Sequence, residues 1–184
     1  MGAPWKIEIQ KRYLKFSSAH MTIFPDGSKE PLHGHNYQTK ITCELRDASF
    51  EKMISFAVYK QVLEQICESW DEKILIQEKN PFVMMDTEGE SLKLTICGKK
   101  YEFPKDEVVV LPVENISAEN LAEILAIRMA RALIKSGHFD LQNPDSVLES
   151  LQLGVYETEG QGASFRLCRE NIDQYMESLS KVED

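Results

Sequence analysis

The sequence predicts an α+β fold in which two helices pack on one face of an antiparallel sheet, in the order ββααββ with an inserted hairpin. Two observations predict this fold, and a third predicts a single domain. Segments near both ends alternate between apolar and polar residues, as half-buried strands do. Two segments between them repeat apolar residues at helical spacing. No linker rich in proline, glycine or serine divides the chain, so we expect one domain over residues 1–184.

Composition excludes several classes of function. The 184 residues carry a net charge of -9 at pH 7, and the pI is near 5.0, whereas nucleic acids and anionic membranes require a basic surface. No apolar run approaches the roughly 20 residues that span a bilayer. The four cysteines have no paired spacing, and the N-terminus has no signal-peptide pattern. These features predict a cytoplasmic protein with no nucleic-acid or membrane partner.

The first two strands are predicted at residues 5–18 and 33–45. Each alternates between apolar and polar side chains. The loop between them contains Pro25, Asp26 and Gly27, which are typical turn residues. We therefore expect the two strands to form an antiparallel pair.

Two amphipathic helices are predicted next. The first has apolar residues at helical spacing from Phe56 to Trp70, after Ser55 as a possible N-cap. The second begins after Ser117, and Gly137 can end it in a left-handed conformation.

The remaining elements are strands. An insertion over residues 81–111 predicts a hairpin that turns at Gly98 and a strand at 108–111. Two further strands follow at 151–157 and 163–168, and then a short polar helical tail.

Three histidines form a candidate metal site. His33 and His35 lie two residues apart, so a strand places both rings on one face. His20 shares a face of the first strand with Phe16, and strand pairing can bring it beside the other two rings. Three neutral imidazoles with an open fourth position are typical of catalytic zinc. The alternative is a chance histidine pair on a solvated strand.

The segments "FSSAH" at 16–20 and "HGHNY" at 33–37 resemble the zinc signature of the 6-pyruvoyltetrahydropterin and 6-carboxytetrahydropterin synthase superfamily. "SWDEKIL", "SAENLAE" and "VYETEG" match further segments of that family in order, so the resemblance spans nearly the whole chain. It implies the tunnelling fold, in which sheets of several subunits join into a barrel. It also implies zinc, a pterin substrate and a homo-oligomer, commonly a hexamer, with sites between subunits.

One departure from the synthases concerns the catalytic base. They carry a cysteine a few residues before the HGH triplet, whereas this chain has no cysteine between Met1 and Leu32. Instead, Glu30 precedes His33 by three residues, as in a branch of the superfamily that resembles an aldolase. A carboxylate beside a metal can act as general base and then as general acid. The alternative for Glu30 is a solvated loop acid next to Lys29.

A second departure concerns Asp71 and Glu72, which stand where the synthases have an Asp-His relay. Asp71 matches the family, but Glu72 replaces the imidazole that titrates near neutral pH. Two adjacent carboxylates in a cleft can raise one pKa and so supply an acid-base group. The alternative is a charged cluster on the surface at the end of a helix.

Glu157 and Ser117 are the candidate substrate-binding residues. Period 2 places Glu157 at the end of an apolar strand row, where an unpaired carboxylate is costly. A pterin presents adjacent N–H donors that a carboxylate can accept as a pair, and the resemblance assigns this role to Glu157. The alternative is an exposed acid at a hairpin mouth. Ser117 caps the second helix, and the resemblance places its hydroxyl at the pterin pocket.

The sequence therefore predicts a zinc-dependent lyase that cleaves the side chain of a dihydroneopterin phosphate by a retro-aldol reaction. The product would be 6-hydroxymethyl-7,8-dihydropterin, a folate precursor. One alternative is 6-pyruvoyl- or 6-carboxy-tetrahydropterin synthase activity, against which the missing thiol argues. The other alternative is a pterin- or metal-binding protein without turnover.

Overall fold

A computed structural model describes residues 5–175 of the chain, except 139, 142 and 144. The predicted α+β fold class is confirmed: among the described residues, seven strands form a mixed sheet and two long helices pack against it. In chain order, these elements are β1 (Trp5–Ile9), β2 (Lys15–His20), β3 (His33–Leu45), α1 (Phe56–Trp70) and β4 (Lys73–Gln77), then, after a three-stranded insertion, β8 (Val108–Leu111), α2 (Ala118–Lys135), β9 (Leu148–Thr158) and β10 (Gln161–Cys168).

The strand predicted over residues 5–18 is in fact two strands on the same edge of β3. β1 pairs with the C-terminal half of β3, up to Ile9 opposite Ile41, and β2 resumes the pairing at Lys15 opposite Gln38. Residues 10–14 thus lie opposite only residues 39 and 40, so the chain bulges out between the strands. The alternation of the sequence continues through this bulge and therefore does not reveal it.

The predicted strand at β3 and both predicted helices are confirmed within a residue. Ser55 precedes α1 without a side-chain cap bond, whereas the Ser117 hydroxyl accepts a hydrogen bond from the backbone N–H of Asn120 at 3.4 Å. Gly137 follows α2 with a φ of 72°, as predicted. The odd-numbered residues of β3 from Tyr37 onward are buried, and all of them except Thr39 belong to the main hydrophobic core, which includes residues of both helices.

The sheet is mixed rather than purely antiparallel, because β4 enters it beside β2. β2 pairs with β4, and β4 with β8, in parallel, whereas β3 pairs antiparallel with β2 and β9. The sequence analysis missed β4, since "KILIQ" follows directly after a helix and is a short apolar run without alternation.

The insertion contains the predicted hairpin and one additional strand. β5 (Val83–Asp86), β6 (Ser91–Ile96) and β7 (Lys99–Pro104) form a separate antiparallel sheet, which we call the inserted sheet. Leu92, Leu94 and Ile96 pack with Ile76 of β4 in a second hydrophobic cluster.

The predicted helical tail lies mostly outside the described residues, of which 172–175 are helical. Within the described part of the chain, no helix combines the length and apolar character needed to cross a membrane.

Candidate metal centre and its surroundings

The three histidines lie together at one end of the main sheet. His20 ends β2 directly opposite His33, the first residue of β3, and His35 lies opposite Ser18. The ring centroids are 4.6 Å apart for His20 and His33, 5.3 Å for His20 and His35, and 5.0 Å for His33 and His35. One nitrogen from each ring lies within 4.8 Å of the others, so the three could hold a single metal ion.

Close packing of β3 against β2 favours a glycine between the two histidines of β3. A Cβ added at Gly34 would lie 3.1 Å from the carbonyl oxygen of Ser18, which is closer than most side-chain contacts. Gly34 therefore lets β3 approach β2 at the point where His20 and His33 face each other.

Backbone carbonyls fix two of the rings. Nδ1 of His20 lies 3.0 Å from the carbonyl oxygen of Ile116, and Nδ1 of His33 lies 2.9 Å from that of Pro31. A carbonyl can only accept, so each Nδ1 carries a proton, and in the neutral ring Nε2 is the nitrogen that keeps a lone pair. This arrangement orients metal-binding histidines in many proteins.

The unsatisfied nitrogen of His20 supports a metal at this place. Its ring is buried, and Nε2 has no hydrogen-bond partner among the described residues. Burial, reinforced by repulsion from His33 and His35, lowers the pKa of His20 to about 4. The ring is therefore neutral at pH 7, as metal binding requires. Three imidazoles without a cysteine ligand fit a catalytic zinc ion.

Glu30 lies at the edge of the triad. Its Oε2 is 3.9 Å from Nε2 of His33, and its side chain is 43% exposed. The Nζ of Lys29 does not pair with this carboxylate, since it donates to the carbonyl oxygen of Glu30 at 3.0 Å and to the sulfur of Met21 at 3.3 Å. The carboxylate is thus available to a ligand at the triad.

Asp71 and Glu72 hold the end of α1 against β2. The carboxylate of Asp71 accepts a hydrogen bond from the N–H of Ser17 at 2.6 Å, and the N–H of Glu72 donates to the carbonyl oxygen of Ser17 at 2.7 Å. Glu72 adopts an unusual left-handed φ of 57° to do so. Neither carboxylate bonds to the three imidazoles in the described structure.

Glu157 lies on the same sheet face as the triad. Gln38 pairs with Tyr156, so Glu157 comes next to Tyr37, and the Tyr37 ring lies 5.5 Å from the His35 ring. Oε2 of Glu157 accepts a hydrogen bond from Gln161 at 3.2 Å. The Tyr37 hydroxyl is buried without a partner among the described residues. Burial, together with the Glu157 carboxylate, raises the pKa of Tyr37 well above its ordinary value.

The loop before α2 contains residues that sequence reasoning missed. Asn115 donates to the carbonyl oxygen of Ile23 at 3.0 Å and accepts from its N–H at 3.1 Å, while Ile116 supplies the carbonyl that bonds His20. Ser117 follows directly. The pattern carried no signal for these contacts, because they join segments far apart in the chain.

Comparisons with known proteins agree with this geometry. The model of a family described as 6-pyruvoyl tetrahydropterin synthase matches residues 8–168. A putative 6-carboxy-5,6,7,8-tetrahydropterin synthase of Methanocaldococcus jannaschii is 28% identical over 155 residues, which cover 83% of this chain and 90% of that protein. One of Pyrococcus abyssi is 26% identical over 62% of this chain and 69% of its own length.

Solved structures resemble the fold at low sequence identity. The 6-pyruvoyl tetrahydropterin synthase of Plasmodium falciparum has a TM-score of 0.76 and 19% identity, and the alignment covers 89% of this chain and 98% of that one. The Plasmodium vivax protein has a TM-score of 0.77 and 18% identity with the same coverage. These likenesses confirm the tunnelling fold.

Proposed function

The chain belongs to the 6-pyruvoyl tetrahydropterin synthase family, and we propose that within it the protein is a zinc-dependent lyase acting on a dihydroneopterin phosphate. The reaction is a retro-aldol cleavage of the pterin side chain that yields 6-hydroxymethyl-7,8-dihydropterin. The observation that carries this proposal is the Glu30 carboxylate, 3.9 Å from Nε2 of His33 in a chain with no cysteine before the triplet.

A glutamate is also described as a catalytic residue in a protein of the same fold. Two solved structures of the Plasmodium vivax 6-pyruvoyltetrahydropterin synthase carry alanine or cysteine in place of a glutamate described as a catalytic residue. Each has a TM-score of 0.77 and 17% identity to this chain. A catalytic carboxylate is therefore compatible with this architecture, which supports the role proposed for Glu30.

Glu30 would act as the base and then as the acid. It takes the proton from the side-chain hydroxyl on the carbon that becomes an aldehyde, and the adjacent carbon–carbon bond breaks. The electron pair passes into the dihydropterin, and Glu30 returns the proton to the carbon that remains attached to the ring. The products are 6-hydroxymethyl-7,8-dihydropterin and a phosphorylated two-carbon aldehyde, with no net oxidation or reduction.

His20, His33 and His35 would hold the zinc ion. When bound, zinc would supply Lewis acidity at the oxygens of the substrate diol. The chain orients this site itself, because the carbonyls of Pro31 and Ile116 accept from Nδ1 of two rings and leave Nε2 of each as the nitrogen available to the ion. The site therefore needs little reorganisation before it binds the ion.

Glu157 would anchor the pterin ring. Its carboxylate lies on the triad face of the sheet and is partly exposed, so it can accept two parallel hydrogen bonds from the ring N–H and the amino group. Ser117 follows the carbonyl that bonds His20, and its hydroxyl would border the same pocket. The acid-base role of Asp71 and Glu72 stays a prediction, since the Asp71 carboxylate is already bonded to the backbone of β2.

We propose a homo-oligomer, a hexamer by family resemblance, with sites between subunits. Large apolar side chains at the surface support association, since Phe50 is 85% exposed and Met53 is 72% exposed. Light scattering of the purified protein measures the assembly directly.

The test of function is incubation of the zinc-loaded protein with the monophosphate and the triphosphate of dihydroneopterin, followed by mass analysis of the products. We expect 6-hydroxymethyl-7,8-dihydropterin. Glu30→Ala should retain zinc and lose at least about a hundredfold in turnover, as when an acid-base group is removed. The matched control is Glu68→Ala, which removes an exposed carboxylate from α1. Wild-type turnover in Glu30→Ala would overturn the proposed role.

The curated relatives favour a second candidate. Because two of them are described as putative 6-carboxy-5,6,7,8-tetrahydropterin synthases, the same incubation should be scored for the 6-carboxy and 6-pyruvoyl products, which differ in mass. A pterin that binds without any product would indicate a binding protein.

A further inference from the structure

We propose that the inserted sheet positions the Glu30 carboxylate beside the three histidines, and that Lys29 and Tyr101 form the contact through which it does so. This inference rests on the proposed function, because it deepens the role of Glu30 in that reaction. It assigns a task to a part of the chain that carries none of the predicted site residues.

Apolar packing joins the inserted sheet to the loop that carries Glu30. This loop, residues 21–32, connects β2 to β3, and we call it the Glu30 loop. Met21 and Ile23 are 1% and 4% exposed, and they pack in one cluster with Leu92, Leu94 and Ile96 of the inserted sheet. The base of the loop therefore packs against the insertion as well as against Ile76 of the main sheet.

The tip of the Glu30 loop also rests on the insertion. Gly27 has a φ of 80°, and a Cβ at this position would lie 3.1 Å from the ring of Phe82, which precedes β5. The N–H of Gly27 donates to the carbonyl oxygen of Phe24, so a tight turn sits directly on that ring. Glycine is required here both by the left-handed backbone and by the close approach.

Lys29 connects the insertion to Glu30 itself. Its Nζ lies 5.3 Å from the centroid of the Tyr101 ring of β7, a distance at which a cation is attracted to an aromatic face. The same Nζ donates to the carbonyl oxygen of Glu30 at 3.0 Å. The described residues include no carboxylate paired with Lys29. The ring, the ammonium and the Glu30 backbone thus form one continuous series of contacts.

Other hydrogen bonds hold the backbone on both sides of Glu30. The N–H of Glu30 donates to the carbonyl oxygen of Thr22 at 3.0 Å, Ile23 bridges Lys29, and Nδ1 of His33 bonds the carbonyl oxygen of Pro31 at 2.9 Å. None of these bonds involves the carbonyl oxygen of Glu30, to which Lys29 donates. Contact with the inserted sheet through Lys29 adds this constraint, and small displacements of a catalytic group cost much activity.

The experiment compares Lys29→Met and Tyr101→Leu with the wild-type protein. Both should lower kcat about tenfold with KM changed less than about twofold, while zinc content stays equal to wild type. Tyr101→Phe keeps the aromatic face and should restore most of kcat. In a Glu30→Gln background, Lys29→Met should add no further loss, because the group that it positions is gone. Lys100→Met, which removes an exposed lysine from the same strand as Tyr101, is the charge control.

Hydrogen exchange provides a readout that does not depend on turnover. Backbone amides of Phe24, Gly27 and Glu30 are hydrogen-bonded within the loop, and Tyr101→Leu should speed their exchange about tenfold while that of β3 is unchanged. Unchanged kcat or unchanged exchange in Lys29→Met and Tyr101→Leu overturns the inference. A different result would separate the two proposals. If the wild type shows no turnover but Tyr101→Leu speeds exchange in the Glu30 loop, the proposed function is refuted, whereas the contact between the inserted sheet and the loop is supported.

Discussion

The candidate site has two ends, one at the three histidines and one at Glu157. Hydrogen bonds within the chain orient the side chains more completely at the first end than at the second. At the histidine end, Nδ1 of His20 and Nδ1 of His33 each bond a backbone carbonyl, and the rings converge within reach of one ion. At the Glu157 end, the carboxylate has a side-chain partner at 3.2 Å, and the buried Tyr37 hydroxyl has none among the described residues.

The proposed function, with a metal at the histidines and a pterin at Glu157, accounts for this difference. A metal ion tolerates little error in ligand geometry, so the chain fixes its ligands in advance by bonds to rigid backbone. A pterin brings several donors of its own, so hydrogen bonds at the Glu157 end can be completed when the ligand arrives. On the proposed function, we expect single substitutions at the histidine end to lower metal affinity and those at the Glu157 end to lower pterin affinity.

The largest expected effect is on zinc. His35→Ala removes one ligand from a partly exposed position, so the fold should survive, whereas zinc affinity should fall at least about a hundredfold. Competition with a chromogenic chelator measures this loss. His138→Ala, at an exposed position beyond the end of α2, should bind zinc like the wild type. Equal zinc affinity in both variants would show that the triad holds no metal.

Much of the fold could be predicted because its strands and helices carry strong periodic patterns. β3 and both helices have long stripes of apolar residues, and the Gly137 turn has a distinct chemistry. β4 and β5 could not be predicted, since each is short and gains its stability from neighbours supplied by distant segments. The parallel pairing of β4 with β2 likewise depends on tertiary packing.

Part of the candidate site could likewise be predicted from the sequence, and part could not. Period 2 and strand pairing were enough to predict that His20, His33 and His35 lie on one face. The contacts that orient them were invisible, because Ile116 acts through its carbonyl oxygen, which every residue type possesses. The engagement of Asp71 with the backbone of Ser17 was equally invisible, since the family pattern suggested another role.

A substitution at the Glu157 end of the site should change pterin binding without changing metal binding. Glu157→Gln keeps the shape of the side chain but loses the charge that strengthens both hydrogen bonds to the ring. Pterin affinity should fall about 10- to 100-fold, corresponding to roughly 1.5–3 kcal/mol, with zinc affinity unchanged. Fluorescence titration with a pterin measures it. Glu159→Gln, in the exposed turn after β9, should bind normally, and equal losses in both variants would refute the anchoring role.

The support behind the histidines can be weakened without touching them. Asn115→Ala removes two hydrogen bonds to the backbone of Ile23, next to the loop segment that supplies the Ile116 carbonyl. The free energy of unfolding should fall by about 1–3 kcal/mol, because buried backbone groups lose their partners. Zinc affinity should fall about tenfold. Denaturant unfolding and chelator competition give the two values, and an unchanged zinc affinity would show that preparation of the triad does not depend on this loop.

The smallest expected effect tests whether the Glu157 end is incomplete. Tyr37→Phe removes a buried hydroxyl that has no described partner, so the free energy of unfolding should stay the same or rise by up to about 1 kcal/mol. The matched control is Tyr59→Phe, whose hydroxyl donates to the carbonyl oxygen of His138 at 3.2 Å and whose loss should cost about 1 kcal/mol. Urea unfolding of both variants measures the difference. If Tyr37→Phe is destabilised as much as Tyr59→Phe, the Tyr37 hydroxyl has a partner before any pterin binds, and the two ends of the site are equally prepared.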